Sequence, residues 1–152
     1  MKILATNKKA YHDYEILSTL ETGISLLGTE VKSAKEGRMN LKDSYIKVIG
    51  GEVYLINCHI SPYTHGNILN HDPIRTRKLL LHKKEINKLI GLSKEKGLTI
   101  VPLKAYLKNN LIKIEAAVVR GKKKFDKRET MRRKEVDREI ERAIKNKITK
   151  FY

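Results

Sequence analysis

LTIVPLKAYLKNNLIKIEAAVV, residues 98–119, is the stretch whose pattern decides the fold. Leu103, Ala105 and Leu107 alternate with Lys104, Tyr106 and Lys108, and after Asn109-Asn110 the apolar Ile112, Ile114, Ala116 and Val118 resume the alternation. Period-two patterning on both sides of an asparagine pair predicts an antiparallel hairpin, because asparagine tolerates the positive φ of a tight turn. Pro102 has no N–H to give a ladder, so an edge or a bulge is expected there. A second hairpin follows from Ser44–Ile49 and Val53–Ile60, which flank Gly50-Gly51-Glu52. Tyr14–Leu27 reads as a strand bent at Gly23, and Arg75–Leu81 as extended.

Helical signals are fewer. Leu81–Lys96 sets Ile86, Leu89 and Ile90 on one face with Gly97 as its stop. A short helix is predicted over Glu30–Glu36, with Thr29 as N-cap and Gly37 ending it. The body is therefore expected to be mainly β: a small closed antiparallel β-barrel with short flanking helices. Such barrels leave no free edge and commonly present one face to oligonucleotides. The one boundary falls near Gly121, giving a body of residues 1–120 and a tail of residues 121–152.

That tail, GKKKFDKRETMRRKEVDREIERAIKNKITKFY, holds 13 of the chain's 33 basic residues and 6 of its 17 acids. Val136, Ile140, Ile144 and Ile148 recur every four residues, with Ala143 and Phe151 beside the same stripe. This is the pattern of a helix with a narrow apolar seam and a wide basic surface. The seam is too thin to form a core alone, so the tail is expected to be disordered by itself and helical on a partner. Its charge points to a polyanion, nucleic acid first.

The body holds the other 20 basic and 11 acidic residues, so the excess charge is distributed. A hydrophobic content of 40% supports one packed domain. No apolar run approaches the roughly 20 residues of a membrane span, and the start, MKILATNKKAYHDYE, does not read as a secretory signal. No membrane partner is expected. The single cysteine, Cys58, allows no internal disulfide, which fits a reducing cytosol, and its apolar surroundings read as core. His59, His65 and His71 recur at six-residue intervals that match no zinc-ligand spacing. Phosphate loops, nucleophile elbows and paired acidic motifs are absent from the sequence. No catalytic residue, metal or cofactor is expected; the visible chemistry is binding.

Three basic groups carry that reading. Asn7-Lys8-Lys9 precedes Tyr11 and Tyr14; Lys32, Lys35 and Arg38 lie near Asn40; Arg75, Arg77 and Lys78 close the run from Asp72. In an extended run Arg75 and Arg77 point the same way, a spacing suited to successive phosphates. Nearby tyrosines and histidines can stack on unpaired bases. Glu21 either pairs with a neighbouring lysine or accepts a hydrogen bond from a base. Two rivals remain on these residues alone: a ribosomal protein or general single-strand RNA binder, and a ribonuclease using His59, His65 or His71.

The segments NKKAYHDYEI, GTEVKSAKEG, NLKDSY, NHDPIRTRKLLLHKKEI, VPLKAYLKNN and GKKKFDKRE, in this order, closely resemble the small protein B family, the SsrA-binding (tmRNA-binding) proteins of bacteria. The likeness runs from Asn7 to Arg128 and continues more loosely in the tail. It implies an oligonucleotide-binding (OB-type) barrel that binds the tRNA-like domain of tmRNA as a monomer. It also implies delivery of that RNA to stalled ribosomes in trans-translation, without enzymatic activity. The tail would probe the vacant mRNA channel near the small-subunit decoding centre. Carried onto this chain, the family's RNA-contacting pattern falls on Asn7 with Lys8 and Lys9, on Glu21, and on Leu80 and His82; some members have asparagine at the position of His82. The ribosome-facing junction falls on Lys122, Lys123, Lys124, Phe125, Asp126, Lys127 and Arg128, with Phe125 where the family places an aromatic or histidine. An apolar-apolar-Lys-Asn element tied to tagging falls on Ala143, Ile144, Lys145 and Asn146. Ala143 is smaller than the bulky aliphatic of some relatives.

Overall fold

The computed structural model describes residues 1–65, 70–122 and 134–145. The chain forms two units, Met1–Lys122 and Lys123–Tyr152. In the first, the elements run β1 (Lys2–Thr6), α1 (Lys8–Asp13), β2 (Tyr14–Ile24), α2 (Gly28–Lys35), β3 (Met39–Asn40), β4 (Tyr45–Ile49), β5 (Glu52–Ile56), β6 (His59–Ile60), β7 (Arg77–Leu80), α3 (Lys83–Ser93), β8 (Leu98–Lys108) and β9 (Leu111–Gly121).

The hairpin of residues 98–119 is present. β8 pairs with β9 from Leu98 opposite Arg120 to Lys108 opposite Leu111. Asn109 and Asn110 close it at φ 51° and 63°, the left-handed pair that a two-residue turn between twisted strands requires. The register slips between Pro102 and Lys104, a bulge that accommodates the proline's missing donor. The β4–β5 turn uses Gly50 and Gly51 at φ 60° and 79°.

The main sheet has seven antiparallel strands in the order β1-β8-β4-β5-β7-β2-β9, and β9 pairs again with β8. The succession of pairings from β8 through β4, β5, β7, β2 and β9 thus returns to β8. At Gly23, β2 has partners on both sides, Leu80 of β7 and Lys113 of β9. A Cβ there would lie 3.2 Å from that of Leu80, so glycine permits the close approach. Val53, Leu55, Leu79, Ile114 and Ala116 fill the interior, and Leu89 of α3 seals it. Ala10 of α1 joins Tyr14, Val101, Leu103, Ala117 and Val119 in a second buried cluster.

Several boundaries differ from the sequence expectations. The strand read through Val53–Ile60 breaks at Asn57, whose φ is 64°, and Ile60 pairs with Met39 instead. Helix α2 starts earlier than predicted and is capped at Leu27, not Thr29. The Glu30 carboxylate reaches back to accept from the Leu27 N–H at 2.8 Å, which frees the Thr29 hydroxyl to bond His71 Nδ1 at 2.8 Å. Helix α3 is shorter than Leu81–Lys96, and Gly97 does take a positive φ of 82° after it. β1, α1 and the β3–β6 ribbon have no counterpart among the sequence expectations.

In the second unit, residues 134–145 form a helix, α4. Its four-residue spacing sets Val136, Ile140 and Ile144 on one face; Ile148 lies outside the described residues. Among the described residues no helix is long and apolar enough to cross a membrane.

Candidate nucleic-acid interface

Asn7 is a pin. Its Oδ1 accepts from the Ala10 N–H at 3.2 Å and caps α1. Its Nδ2 donates to the Pro102 carbonyl at 2.9 Å, and its backbone N–H to that of Leu103 at 2.8 Å. The residue is 5% exposed. The direct RNA contact expected of it is thus replaced by a positioning role, because its polar atoms hold α1 at the β8 bulge. Lys8 and Lys9 emerge from that helix and line a shallow cleft with Thr6 and Lys42. Lys9 Nζ also meets Asp43 at 2.8 Å.

Glu21 stands on β2 opposite Glu115 of β9, which lies opposite Lys104 of β8. Its carboxylate accepts from the Tyr106 hydroxyl at 2.6 Å and from Lys108 Nζ at 3.3 Å. The Tyr106 hydrogen bond holds the Glu21 carboxyl below its ordinary value, against the opposing effect of desolvation and with help from Lys108. Burial pushes the Tyr106 phenol up, and the Glu21 hydrogen bond pushes it further. Of the two readings of Glu21, the lysine pair is present. Its exposed carboxylate is also held at a fixed place on the surface.

On α2, Lys32 is exposed with Nζ 5.4 Å from the centre of the Tyr63 ring, within reach of a cation–π contact. Lys35 Nζ reaches Asn110 Oδ1 at 3.4 Å. Asn40 is exposed on β3, and its Oδ1 accepts from the Lys42 N–H at 2.9 Å.

The arginine run departs most from expectation. Arg77 is 0% exposed, so it cannot reach a phosphate. Its guanidinium binds the buried Glu30 carboxylate and donates to the carbonyls of Cys58 at 2.6 Å and Pro73 at 3.2 Å. Arg75 Nη2 reaches the other Glu30 oxygen at 2.6 Å. The two arginines do converge, as their spacing requires, but on an internal acid. Burial pushes the Glu30 carboxyl up; hydrogen bonds from Arg75, the Leu27 N–H and Arg77 outweigh it and hold the group below its ordinary value. Lys78 and Leu80 occupy the alternate, exposed positions of β7, Lys78 facing Glu52 at 3.3 Å. His82 is exposed as the N-cap of α3, its N–H bonded to Glu85 at 3.0 Å.

Lys122 is exposed, and its N–H donates to the Asp13 carbonyl at 3.0 Å. Lys123, Lys124, Phe125, Asp126, Lys127 and Arg128 lie outside the described residues, whereas Ile144 and Lys145 sit on α4. His71 is buried between Thr29 and the Ile60 carbonyl, while His59 and His65 are exposed, so the three do not converge. Cys58 is fully buried and its thiol is pushed up to about 12 by desolvation, which makes it a core residue. Sequence reasoning missed Lys42, Lys104 and Tyr106; the lysines carried a signal in the charge pattern, but Tyr106 acquires its partner only across the sheet.

A mainly β body with short helices and a lysine-rich surface places the chain in the class of small basic β proteins. Residues 4–146 match the family described as SmpB protein, and the chain belongs to that family. The SsrA-binding protein of Geobacillus kaustophilus (strain HTA426) is 62% identical over 146 residues, covering 96% of this chain and 94% of the relative. That of Bacillus subtilis (strain 168) is 61% identical over 145 residues, covering 95% and 93%. A solved structure, "tmRNA-SmpB: a journey to the center of the bacterial ribosome", matches with a TM-score of 0.67 and 48% identity, covering 80% of this chain and 86% of that one.

Proposed function

We propose that this protein binds the tRNA-like domain of tmRNA, as a monomer, and delivers that RNA to stalled ribosomes in the bacterial cytoplasm for trans-translation. It is a binding factor, not an enzyme. The observation that carries the reading is similarity to SsrA-binding proteins at 62% identity over 96% of the chain. The body acts as a closed OB-type barrel, a reading supported by pairings that run from β8 round to β9 and back. Lys8, Lys9, Lys32, Lys35 and Lys78 meet phosphate; Asn40, Glu21, Leu80 and His82 shape a more specific contact. Asn7 and Arg77 hold the frame from which these side chains project.

The tail has the second task. The tail, whose residues 134–145 form α4 in the chain alone, docks as a helix where ribosomal RNA offsets the entropy of ordering. The junction Lys122–Arg128 and the Ile144-Lys145 pair enter the vacant mRNA channel near the decoding centre. An occupied channel excludes them sterically.

The test is capture of the tagged protein from its own cells with sequencing of the bound RNA. Strong enrichment of tmRNA over ribosomal and messenger RNA is expected. Recovery of RNA in proportion to its abundance would mark a general binder and refute the proposal.

A further inference from the structure

The body carries a pair of rings next to the Lys32–Tyr63 contact. Tyr63 and His65 sit beyond β6, their ring centres 5.5 Å apart and their planes at 70°, an edge-to-face pair. Asn70 closes the neck of this loop: its Oδ1 accepts from the Tyr63 N–H at 3.2 Å and its Nδ2 donates to the Tyr63 carbonyl at 2.9 Å. The next residue, His71, is buried and anchored to both α2 and β6. Both ends of the neck are therefore fixed. Tyr63 is half-buried and supported by Lys32, and the His65 ring is left exposed.

Cations lie on the segment tied to it, and the exposed acid Asp72 lies beyond the neck. Lys32 and Arg38 are exposed on the adjoining segment, with Glu36 the acid beside them, 3.7 Å from Arg38. The Arg38 carbonyl accepts from the Ser61 N–H at 3.0 Å, tying that cation's backbone to the strand leading into the loop. An exposed ring next to the fixed Tyr63, near two cations, has the parts of a single-strand nucleotide site: a stacking surface and phosphate partners. Pre-formed geometry lowers the ordering cost on binding.

We infer that the His65 ring, backed by Tyr63, is a platform for one unpaired nucleotide of an RNA, its base stacked on His65 and its flanking phosphates met by Lys32 and Arg38. The inference rests on the RNA-binding reading above and adds a contact to it. The occupant is single-stranded RNA, because stacking accepts any base while the cations require a backbone phosphate.

The experiment uses the full chain and a short single-stranded RNA carrying 2-aminopurine, whose fluorescence is quenched on stacking. His65→Ala should weaken binding by about 5- to 150-fold, the range given by loss of one base–ring stack. His65→Phe should restore it, since it keeps the ring and loses the ring nitrogens. Lys32→Ala should lower the salt slope by roughly 0.7, the value for one phosphate on a single strand. Probe binding unchanged in His65→Ala overturns the platform, as does failure of His65→Phe to rescue; a face built for a protein partner would give the first result. Capture of tmRNA is measured on the same preparations. Capture intact in the parent with no His65 dependence of the probe refutes the platform alone. No capture by the parent refutes the broader reading and leaves the probe to decide the platform.

Discussion

Replacing Arg77 with methionine should cost stability and leave RNA affinity's salt dependence untouched. Arg77 and Glu30 are both 0% exposed, and the Arg75 side chain that shares the carboxylate is 34% exposed. Removing Arg77 leaves a buried carboxylate with one guanidinium, and the carbonyls of Cys58 and Pro73 lose a donor. Breaking a buried pair from one side costs about 3–5 kcal/mol, much of it the desolvation of the stranded charge. In a body of this size that lowers the thermal midpoint by roughly 10–25 °C. Urea and thermal unfolding, followed by circular dichroism, measure it. The double change Glu30→Met with Arg77→Met should recover much of the loss, because it removes the stranded charge as well. A loss under about 1 kcal/mol, or a salt slope flattened by roughly 0.7–0.9, would place Arg77 on the surface against a phosphate and refute the argument.

Acid should act through the same site. Because the folded Glu30 carboxyl titrates below its ordinary value of 4.5, its contribution is present above that value and is lost as pH falls through the lower folded value. Unfolding midpoints at about pH 6 and about pH 3.5 should differ less in Glu30→Gln than in the parent, the remainder including Glu21, which is also held low. Glu21→Ala should weaken tmRNA binding at every salt concentration and lower the thermal midpoint slightly, because the Tyr106 hydroxyl loses its acceptor; full binding by the variant would make Glu21 an ordinary surface acid. Ile144→Pro, in α4, should cost the helix about 3 kcal/mol at constant charge. Capture of tmRNA should persist while tagging of nascent peptides on stalled ribosomes is lost; tagging that survives would separate the tail's charge from its helix.

Local chemistry was legible where one short segment settled the outcome. Asn109-Asn110 and Gly50-Gly51 each contain the positive-φ residues their turns need, so both hairpins could be read without their neighbours. Pro102 announced its bulge by lacking a donor. Asn57 gave no comparable warning: its left-handed conformation ends β5, and the partner that takes over Ile60 lies on β3. Thr29 looked like the better N-cap, yet Leu27 holds the position because Glu30 satisfies its N–H from inside the helix. That carboxylate is also the acceptor for two arginines 45 and 47 residues away. No local pattern encodes such a meeting.

The arginine run shows why charge alone misplaces a binding residue. Its period-two spacing is a statement about facing, and facing cannot distinguish outside from inside until a partner is known. Leu79 fixes the answer: Arg77 shares its buried side of β7, and Lys78 and Leu80 take the other. The buried arginine then ties β7 to the Cys58 and Pro73 carbonyls and to Glu30 of α2. Arg75, on the same acid, brings in the Ser25 carbonyl at 3.3 Å. A cation paired in this way makes no phosphate contact of its own but sets where neighbouring side chains stand. Lys78 and Leu80 thus inherit their exposure from Arg77, and Lys8 and Lys9 inherit theirs from Asn7. In both places a buried polar residue fixes the frame and its exposed neighbours remain available to a polyanion, which is how a chain with net charge +16 can bind by shape as well as by charge.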